Sequence, residues 1–570
     1  MHKVWLENYP VDVPPEIDIA EHSSLNDLLA SSCRKFSGRP AFANLGTTIS
    51  YAQLDRLSRD FAAWLQHLTT LKRGSRVAIM MPNLLQYPIA LFGTLRAGMI
   101  VVNVNPLYTE RELLHQLKDS GAEAIVILEN FAHVLEKVVA SSSVKYVITT
   151  KVGDILPPFR RPIVNLTVKY VKKMVPDWNI GGAIPFRTAL RLGSGREFRE
   201  APVRHEDTAF LQYTGGTTGT SKGAILTHGN MVANVLQCHA WSRGAFKDGA
   251  EVAITALPLY HIFSLTVNCL HVMKWGGLSV LITNPKDIPG FVAELRKWPF
   301  SVITGVNTLF NALLNAPGLE AVDFSRLKFA VGGGAAVHES VAHRWQERTG
   351  HPLTEGYGLT EASPLVACNP VGSLHSGAIG YPVPSTEVTI RDDDGRELPL
   401  NVQGEIWARG PQITQGYWNR PDETRLTITP DGWLRTGDIG VMDSKGLVRI
   451  TDRKKDMILV SGFNVYPNEV EEVISGMPGV LECAVIGIPD TIAGEIVKAF
   501  VVPKDPGLTA EAVIAYSREH LTKYKVPKLV EFRTELPKNP IGKVLRRELR
   551  TPAAQAALND RATASSVNSL

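Results

Sequence analysis

Short apolar runs recur along the first half of the chain, each separated from the next by a stretch with helical spacing. Val77-Ala78-Ile79-Met80-Met81, Ile100-Val101-Val102-Asn103-Val104, Ala124-Ile125-Val126-Ile127-Leu128 and Val147-Ile148-Thr149 have the length and β-branching of buried strands. Between them the pattern predicts helices, one carrying the small residues Ala90, Gly93 and Ala97, another over Tyr108 to Ser120. Such alternation predicts βαβ units and a mainly parallel sheet. Upstream, Phe42-Ala43-Asn44 and Thr48-Ile49-Ser50-Tyr51 read as the two edges of a hairpin, followed by an amphipathic helix from Tyr51 to Leu65. Val252 to Met273 contains no Asp, Glu, Lys or Arg and is long enough to raise a membrane span. Pro258, Asn268 and two histidines inside it predict a buried strand, turn and helix instead.

The pattern changes twice in the second half. Short strands with turn signals (Val388-Thr389-Ile390, Gly404-Glu405-Ile406-Trp407) predict a small β-barrel-like subdomain. Beyond Asp452 comes a compact α+β unit, with a helix from Pro467 to Ser475, strands at Cys483 to Gly487 and Ala499 to Val502, and a helix from Ala510 to Leu521. The expected class is therefore α/β. A large N-terminal domain of βαβ layers plus the small β-barrel subdomain would span residues 1–451, a small α+β C-terminal domain 452–550, and a flexible tail rich in Ala, Ser and Asn 551–570. Pro157 to Phe198 mixes Arg, Lys and Pro with apolar positions and reads as a connecting excursion. Its Lys169, Tyr170, Lys172, Lys173 and Trp178 could touch a membrane, but a solvated helix is the preferred reading.

Composition narrows this picture modestly. A net charge of +4, with Lys and Arg dispersed, gives no reason to expect nucleic acid and leaves only a mild attraction to an anionic membrane surface. The five cysteines (Cys33, Cys238, Cys269, Cys368, Cys483) are scattered and form no CxxC pair, so neither a disulfide framework nor a zinc site is indicated. The first residues lack the apolar run of a signal peptide. A cytoplasmic protein is expected, with peripheral contact at the inner face of the cytoplasmic membrane as its furthest excursion.

The chemistry concentrates in Tyr213-Thr214-Gly215-Gly216-Thr217-Thr218-Gly219-Thr220-Ser221-Lys222-Gly223, between two predicted strands. Glycines let backbone approach a ligand, and four threonine hydroxyls beside Lys222 supply donors and a charge, which is what a polyphosphate needs. The order of residues is not that of a Walker A loop, because Lys222 stands between Ser221 and Gly223. Further along, Tyr260 and His261 sit at a strand tip. Gly333, Gly334 and Ala335 offer side-chain-free backbone for a flat ring, and Gly356 and Tyr357 lead into Thr360 and Glu361, an aromatic and a carboxylate suited to a ring and to phosphate with its metal. Asp438 can accept from two ribose hydroxyls, and Arg453 can reach ribose or phosphate. Taken alone, Lys543 reads as a solvated surface lysine.

In this order, the motifs resemble those of the adenylate-forming superfamily over nearly the whole chain. Residues 431–455 resemble the signature stretch of fatty acyl-CoA synthetases, and residues 213–224, 303–310 and 357–361 resemble the bacterial long-chain fatty acid–CoA ligases in particular. The resemblance implies ATP, Mg²⁺ and CoA as cofactor and co-substrates and a fatty acid as substrate. It makes Thr214 to Lys222 the phosphate loop, preceded by Tyr213 on the nucleotide side, and gives adenine to Gly333, Gly334, Ala335, Gly356 and Tyr357. Phosphate and Mg²⁺ fall to Thr214, Thr360 and Glu361, and ribose to Asp438 and Arg453. Lys543 becomes the catalytic lysine. His261 and Tyr260 either border the point where acyl group and thiol meet or serve a structural role at the strand tip. It also implies that the C-terminal domain is mobile, turning about Asp452 to present Ser461 and Gly462 to a pantetheine tunnel, and that homodimers are common among relatives. Thr220-Ser221 departs from the pattern at the loop tip, with little effect expected. Loading of a carrier protein, or use of medium-chain or aryl acids, are the alternatives.

Overall fold

The computed structural model describes residues 3–214, 221–490 and 493–550. The apolar runs of the first half become a seven-stranded sheet in the order Ile184–Pro185, Tyr146–Thr150, Ala124–Leu128, Arg76–Met80, Ile100–Asn103, Thr208–Thr214 and Lys222–Thr227. Its pairs are parallel except the last, which is an antiparallel hairpin with Thr214 directly opposite Lys222. Helices Tyr51–Leu68 and Gln86–Arg96 pack on one face, burying Phe61, Trp64, Phe92 and Leu95. The N-terminal helix ends are closed chemically as well: Ser50 and Gln53, and Thr109 and Glu112, form reciprocal capping boxes.

A second, nine-stranded sheet is parallel through its centre (Leu353–Gly358, Phe329–Gly332, Val302–Gly305, Val252–Thr255, Leu278–Leu281, Pro40–Asn44). Antiparallel strands border it, with the hairpin partner Thr47–Ser50 at one end and Leu365–Cys368 and Tyr381–Pro382 at the other. The apolar stretch from Val252 is a strand to Thr255, then a turn, then a continuous helical run over residues 262–274 whose middle, Leu265–His271, widens to π geometry.

The segment expected to be barrel-like is a four-stranded antiparallel sheet (Glu387–Arg391, Gly404–Arg409, Leu434–Met442, Val448–Arg453) in sequence order. It does not close on itself; its last strand bridges through Val448 to Gly380 beside the edge of the nine-stranded sheet. Hairpins Ile458–Val460/Phe463–Val465 and Val480–Asp490/Gly494–Pro503, with Leu529–Phe532 parallel to the latter, build the small C-terminal sheet, covered by helices Pro467–Ser475 and Ala510–His520. All five cysteines are buried and unpaired.

The excursion around residue 165 is helical and exposed, as expected. Arg160–Leu166 is α-helical and Thr167–Val171 continues it, but its outward face is apolar: Phe159, Ile163, Leu166, Tyr170, Val171 and Met174 are exposed.

Candidate active site

One cleft of about 2480 Å³ lies where the two large sheets, the four-stranded sheet and the C-terminal unit meet. Its walls include Tyr213, Thr214, Lys222, His261, Gly333, Gly334, Ala335, Gly356, Tyr357, Thr360, Glu361, Asp438, Arg453 and Lys543. Gly215, Gly216, Thr217, Thr218 and Gly219 fall outside the described residues. The described residues on either side of them, Thr214 and Lys222, face each other across the hairpin.

These strand ends are set in a ring of partners that lie far away in sequence. Tyr213 donates its hydroxyl to Asp119 (2.7 Å), which also pairs with Arg420 (2.7 Å). Lys222 pairs with Glu423 and lies over the Tyr417 ring. The chain near Tyr417 is laid along the hairpin by backbone bonds, Ile225 N to Gly416 O (2.9 Å) and Trp418 N to Gly223 O (2.8 Å). Tyr417 then donates its hydroxyl to Glu361 (2.6 Å). Burial lowers the Lys222 pKa, with Glu361 opposing and Arg420 assisting.

Glycines at the end of strand Phe329–Gly332 allow close packing of neighbouring elements. A Cβ on Gly333 would lie 3.0 Å from the Gly356 carbonyl oxygen and from the Phe263 ring, and Gly334 has φ +76°. Tyr357 is buried, and its hydroxyl donates to Asp438 (2.6 Å). Asp438 stands opposite Arg453 in the register of their antiparallel strands, with Arg453 Nε 3.3 Å from the Asp438 carboxylate. Local strand pairing thus places this acid and base side by side.

Lys543 is not a free surface lysine. Asn539 and Lys543 exchange two bonds, the Lys543 N–H to the Asn539 side chain and the Asn539 N–H to the Lys543 carbonyl (both 2.8 Å), which closes a tight loop. Thr308 donates to the Gly542 carbonyl (3.0 Å), and Ile541 packs near Gly334, so the loop reaches across the cleft. The Arg453 guanidinium, followed by burial, Arg546 and Lys455, holds the Lys543 pKa down to about 7 against the pull of Asp438. His261, pushed down to about 4 by burial and by Lys543, is neutral; its Nδ1 accepts from the Phe263 N–H (3.4 Å), which leaves the proton on Nε2. A buried relay fixes this turn: Tyr87 donates to Asn103 (2.7 Å), Asn103 to Gln212 (2.9 Å), and Gln212 to the Tyr260 carbonyl (2.8 Å).

Other contacts join the C-terminal unit to the rest. Asn311 donates to the Leu481 carbonyl (3.0 Å), the Glu339 N–H to Glu472 (2.8 Å), and Gln403 to the Tyr466 hydroxyl (2.6 Å). Asp452 is fully buried, accepting from the N–H groups of Arg453 (2.7 Å) and Asn468 (2.8 Å), with Arg546 3.6 Å away. Ser461 and Gly462 lie exposed at a hairpin turn of the C-terminal sheet, at positive φ, and are not among the walls of the cleft.

Sequence reasoning missed Asp119, Tyr417, Arg420 and Glu423, and also Glu355. The Glu355 carboxyl accepts from the Val337 N–H (2.9 Å) inside the cleft, and burial raises its pKa to about 7.

Comparison with known proteins agrees over nearly the full length. Residues 29–418 match the AMP-binding enzyme family and residues 469–543 its C-terminal domain. A long-chain-fatty-acid–CoA ligase of Escherichia coli O6:H1 is 57% identical, covering 97% of this chain and 99% of its own. A protein of the same name from Bacillus subtilis is 38% identical over 96% of this chain and 97% of its own. Among solved structures, ATP-bound MatB from Rhodopseudomonas palustris superposes with a TM-score of 0.79 at 30% identity, covering 92% of this chain and 98% of that one.

Proposed function

The chain belongs to the AMP-binding enzyme family, and on that premise we propose that it activates a long-chain fatty acid with ATP and transfers the acyl group to CoA. AMP and pyrophosphate are the by-products. The observation that carries the reading is the Lys543 loop, which spans the cleft through Thr308 and puts Lys543 on the same walls as Asp438, Arg453, Glu361, Thr214 and Lys222.

The obstacle to the first half-reaction is charge, since a carboxylate must approach the α-phosphorus of a polyanion. Lys222 and the loop donors take the terminal phosphates, and Asp438 and Arg453 hold the ribose. Lys543 neutralises charge at the reacting oxygens, and His261 bounds the acyl carbonyl. Among the described residues there is no group of three His, Cys, Asp or Glu that could cage a metal. That fits Mg²⁺, which binds through one or two carboxylates plus substrate phosphates; Glu361 and Thr214 would hold it. When bound, it supplies further neutralisation of phosphate charge. After adenylation the C-terminal unit turns about Asp452, withdrawing Lys543 and bringing Ser461 and Gly462 to the thiol path. Membrane contact at the inner face of the cytoplasmic membrane, and a homodimer, belong to this same proposal. No helix among the described residues is long and apolar enough to cross a membrane.

The low Lys543 pKa has a thermodynamic consequence. Near pH 8 the free enzyme holds this amine largely neutral, and a bound triphosphate raises its pKa, so ATP binding takes up a proton. Below pH 6 the amine is already charged and uptake vanishes. Calorimetry in buffers of different ionisation enthalpy measures this directly. Uptake that is unchanged in Lys543→Ala would assign it elsewhere, with Glu355 first in line.

The acyl chain has a place to go. Past His261 the cleft runs between helix His228–Trp241 and the 262–274 helical run, where Phe263, Val267 and His271 are spaced at four-residue intervals. Cys238, Trp241 and Phe246 line the same cleft, Phe246 stacked on His271 (centroids 5.8 Å) and edge-on to Phe329. His271 is no exception to an uncharged lining. Its Nε2 lies 3.0 Å from the Ser242 hydroxyl and 3.1 Å from Trp275 Nε1, and burial drives its pKa down to about 3. The test is a product assay with ATP, Mg²⁺, CoA and acids from acetate to oleate, plus benzoate. Long-chain acyl-CoA and AMP are the expected products. Acyl-adenylate without thioester would instead indicate a carrier-protein loader. Phe246→Ala should move the preferred acid to longer chains; an unchanged profile would remove Phe246 as the stop.

A further inference from the structure

The apolar stripe on the excursion helix has the geometry of a docking element. Phe159, Ile163, Leu166 and Tyr170 recur at helical spacing, so they form one face, and Val171 and Met174 extend it. These six side chains are between 55% and 76% exposed, far more apolar surface in one place than scattered single residues would give. The opposite side is anchored. The Gly153 N–H donates to Asn165 (2.7 Å), Asn130 to the Met174 carbonyl (2.9 Å), and Arg160 to the carbonyls of Leu45 (2.9 Å) and Gly46 (3.0 Å). The stripe is therefore held outward by the body of the protein and needs no ordering before it meets a partner.

Charge identifies the partner. From Ile155 to Pro176 there is no Asp or Glu, while Arg160, Arg161, Lys169, Lys172 and Lys173 are basic. Lys172 and Lys173 are exposed beside the stripe, and Lys169 lies against Tyr170. Asp154 and Asp177 stand at the two ends of the segment and Glu129 lies near Lys169, but the stripe itself is interleaved with cations alone. Such a face matches an anionic bilayer, where the apolar groups enter the acyl boundary and the cations meet headgroup phosphates. A second copy of this chain would present the same cations to them, which opposes pairing through this face.

We propose that the 159–174 segment is a preformed docking helix for a membrane surface carrying anionic phospholipid. The proposal rests on the fatty-acid reading only in explaining why such an enzyme would visit a bilayer; binding itself is independent of catalysis. The test is flotation of the full-length protein with vesicles of phosphatidylcholine mixed with phosphatidylglycerol, and with phosphatidylcholine alone. The wild type should float with the mixed vesicles and be released by high salt. Ile163→Ser/Tyr170→Ser/Val171→Ser, all at exposed positions, should lower flotation at least tenfold. Lys172→Glu/Lys173→Glu should abolish the preference for phosphatidylglycerol. Both variants should keep wild-type octanoyl-CoA synthesis in vesicle-free solution, or, if octanoate is not a substrate, a wild-type melting curve. Wild-type protein that fails to float, or variants that float equally well, overturns the proposal. So does a concentration-dependent dimer that the serine variant dissociates, since the face would then belong to a second copy. Loss of ligase activity in the wild type, with flotation intact, would count against the proposed function alone.

Discussion

Lys543→Ala should slow acyl-adenylate formation by about two to three orders of magnitude, the size expected when one preorganised charge is removed from a developing anion. Transfer from preformed acyl-adenylate to CoA should stay within about fivefold, because an interaction made in one transition state alone lowers that step alone. The geometry is the reason. Lys543 reaches the cleft only through a loop of the C-terminal unit, tied down by Thr308 and Asn539, and its ammonium is held near Asp438 and Arg453. Single-turnover pyrophosphate release measures the first step, and thioester formation from synthetic acyl-adenylate the second. Equal losses in both steps would point to misfolding or to a different role. Lys543→Arg restores charge in a larger, planar group and should recover only part of the rate.

Glu361→Gln should cost a similar factor, about one hundred to one thousand in kcat/KM, with a raised Mg²⁺ requirement. Glutamine keeps the shape of the side chain and an acceptor for the Tyr417 hydroxyl, and the Thr414 N–H bonds to the residue 361 backbone carbonyl, which substitution leaves alone. The melting temperature should therefore hardly move. If Glu361 served only to anchor Tyr417, Tyr417→Phe would reproduce the whole effect and the Mg²⁺ titration would be unchanged. That result would remove Glu361 from the phosphate chemistry.

The alternation of strands and helices was legible because each element announces itself within a short window. The hairpin of Thr208–Thr214 and Lys222–Thr227, the strand at Phe329 and the helix Pro467–Ser475 are all local patterns. Strand order is not local. Pro40–Asn44 pairs with Leu278–Leu281, and no spacing in either segment names the other. The same limit hid half of the cleft. Glu423 and Arg420 look like any surface charges until the chain near Tyr417 is laid along the hairpin of Lys222. The apolar face of the excursion helix was hidden for a different reason: Pro157, Pro158 and Pro162 and five basic side chains interrupt the stripe of Phe159, Ile163, Leu166 and Tyr170. Whether such a stripe turns inward or outward depends on what packs beneath it.

The polar contacts that join the C-terminal unit to the rest have a bearing on populations. Asn311 to Leu481, Glu339 to Glu472, Gln403 to Tyr466 and Thr308 to Gly542 are hydrogen bonds at a cleft rim, each with a net value of about 1 kcal/mol or less where water competes. Asn468, Glu471, Asp456 and Arg546 cluster within the C-terminal unit beside the pivot at Asp452 and can turn together without being broken. The rim bonds together hold the present orientation by a few kcal/mol, whereas about 5.5 kcal/mol of differential binding takes an equilibrium from one extreme to the other. The bound nucleotide, by changing from triphosphate to adenylate, lies within reach of that sum, so the chemical step itself can set which orientation is occupied.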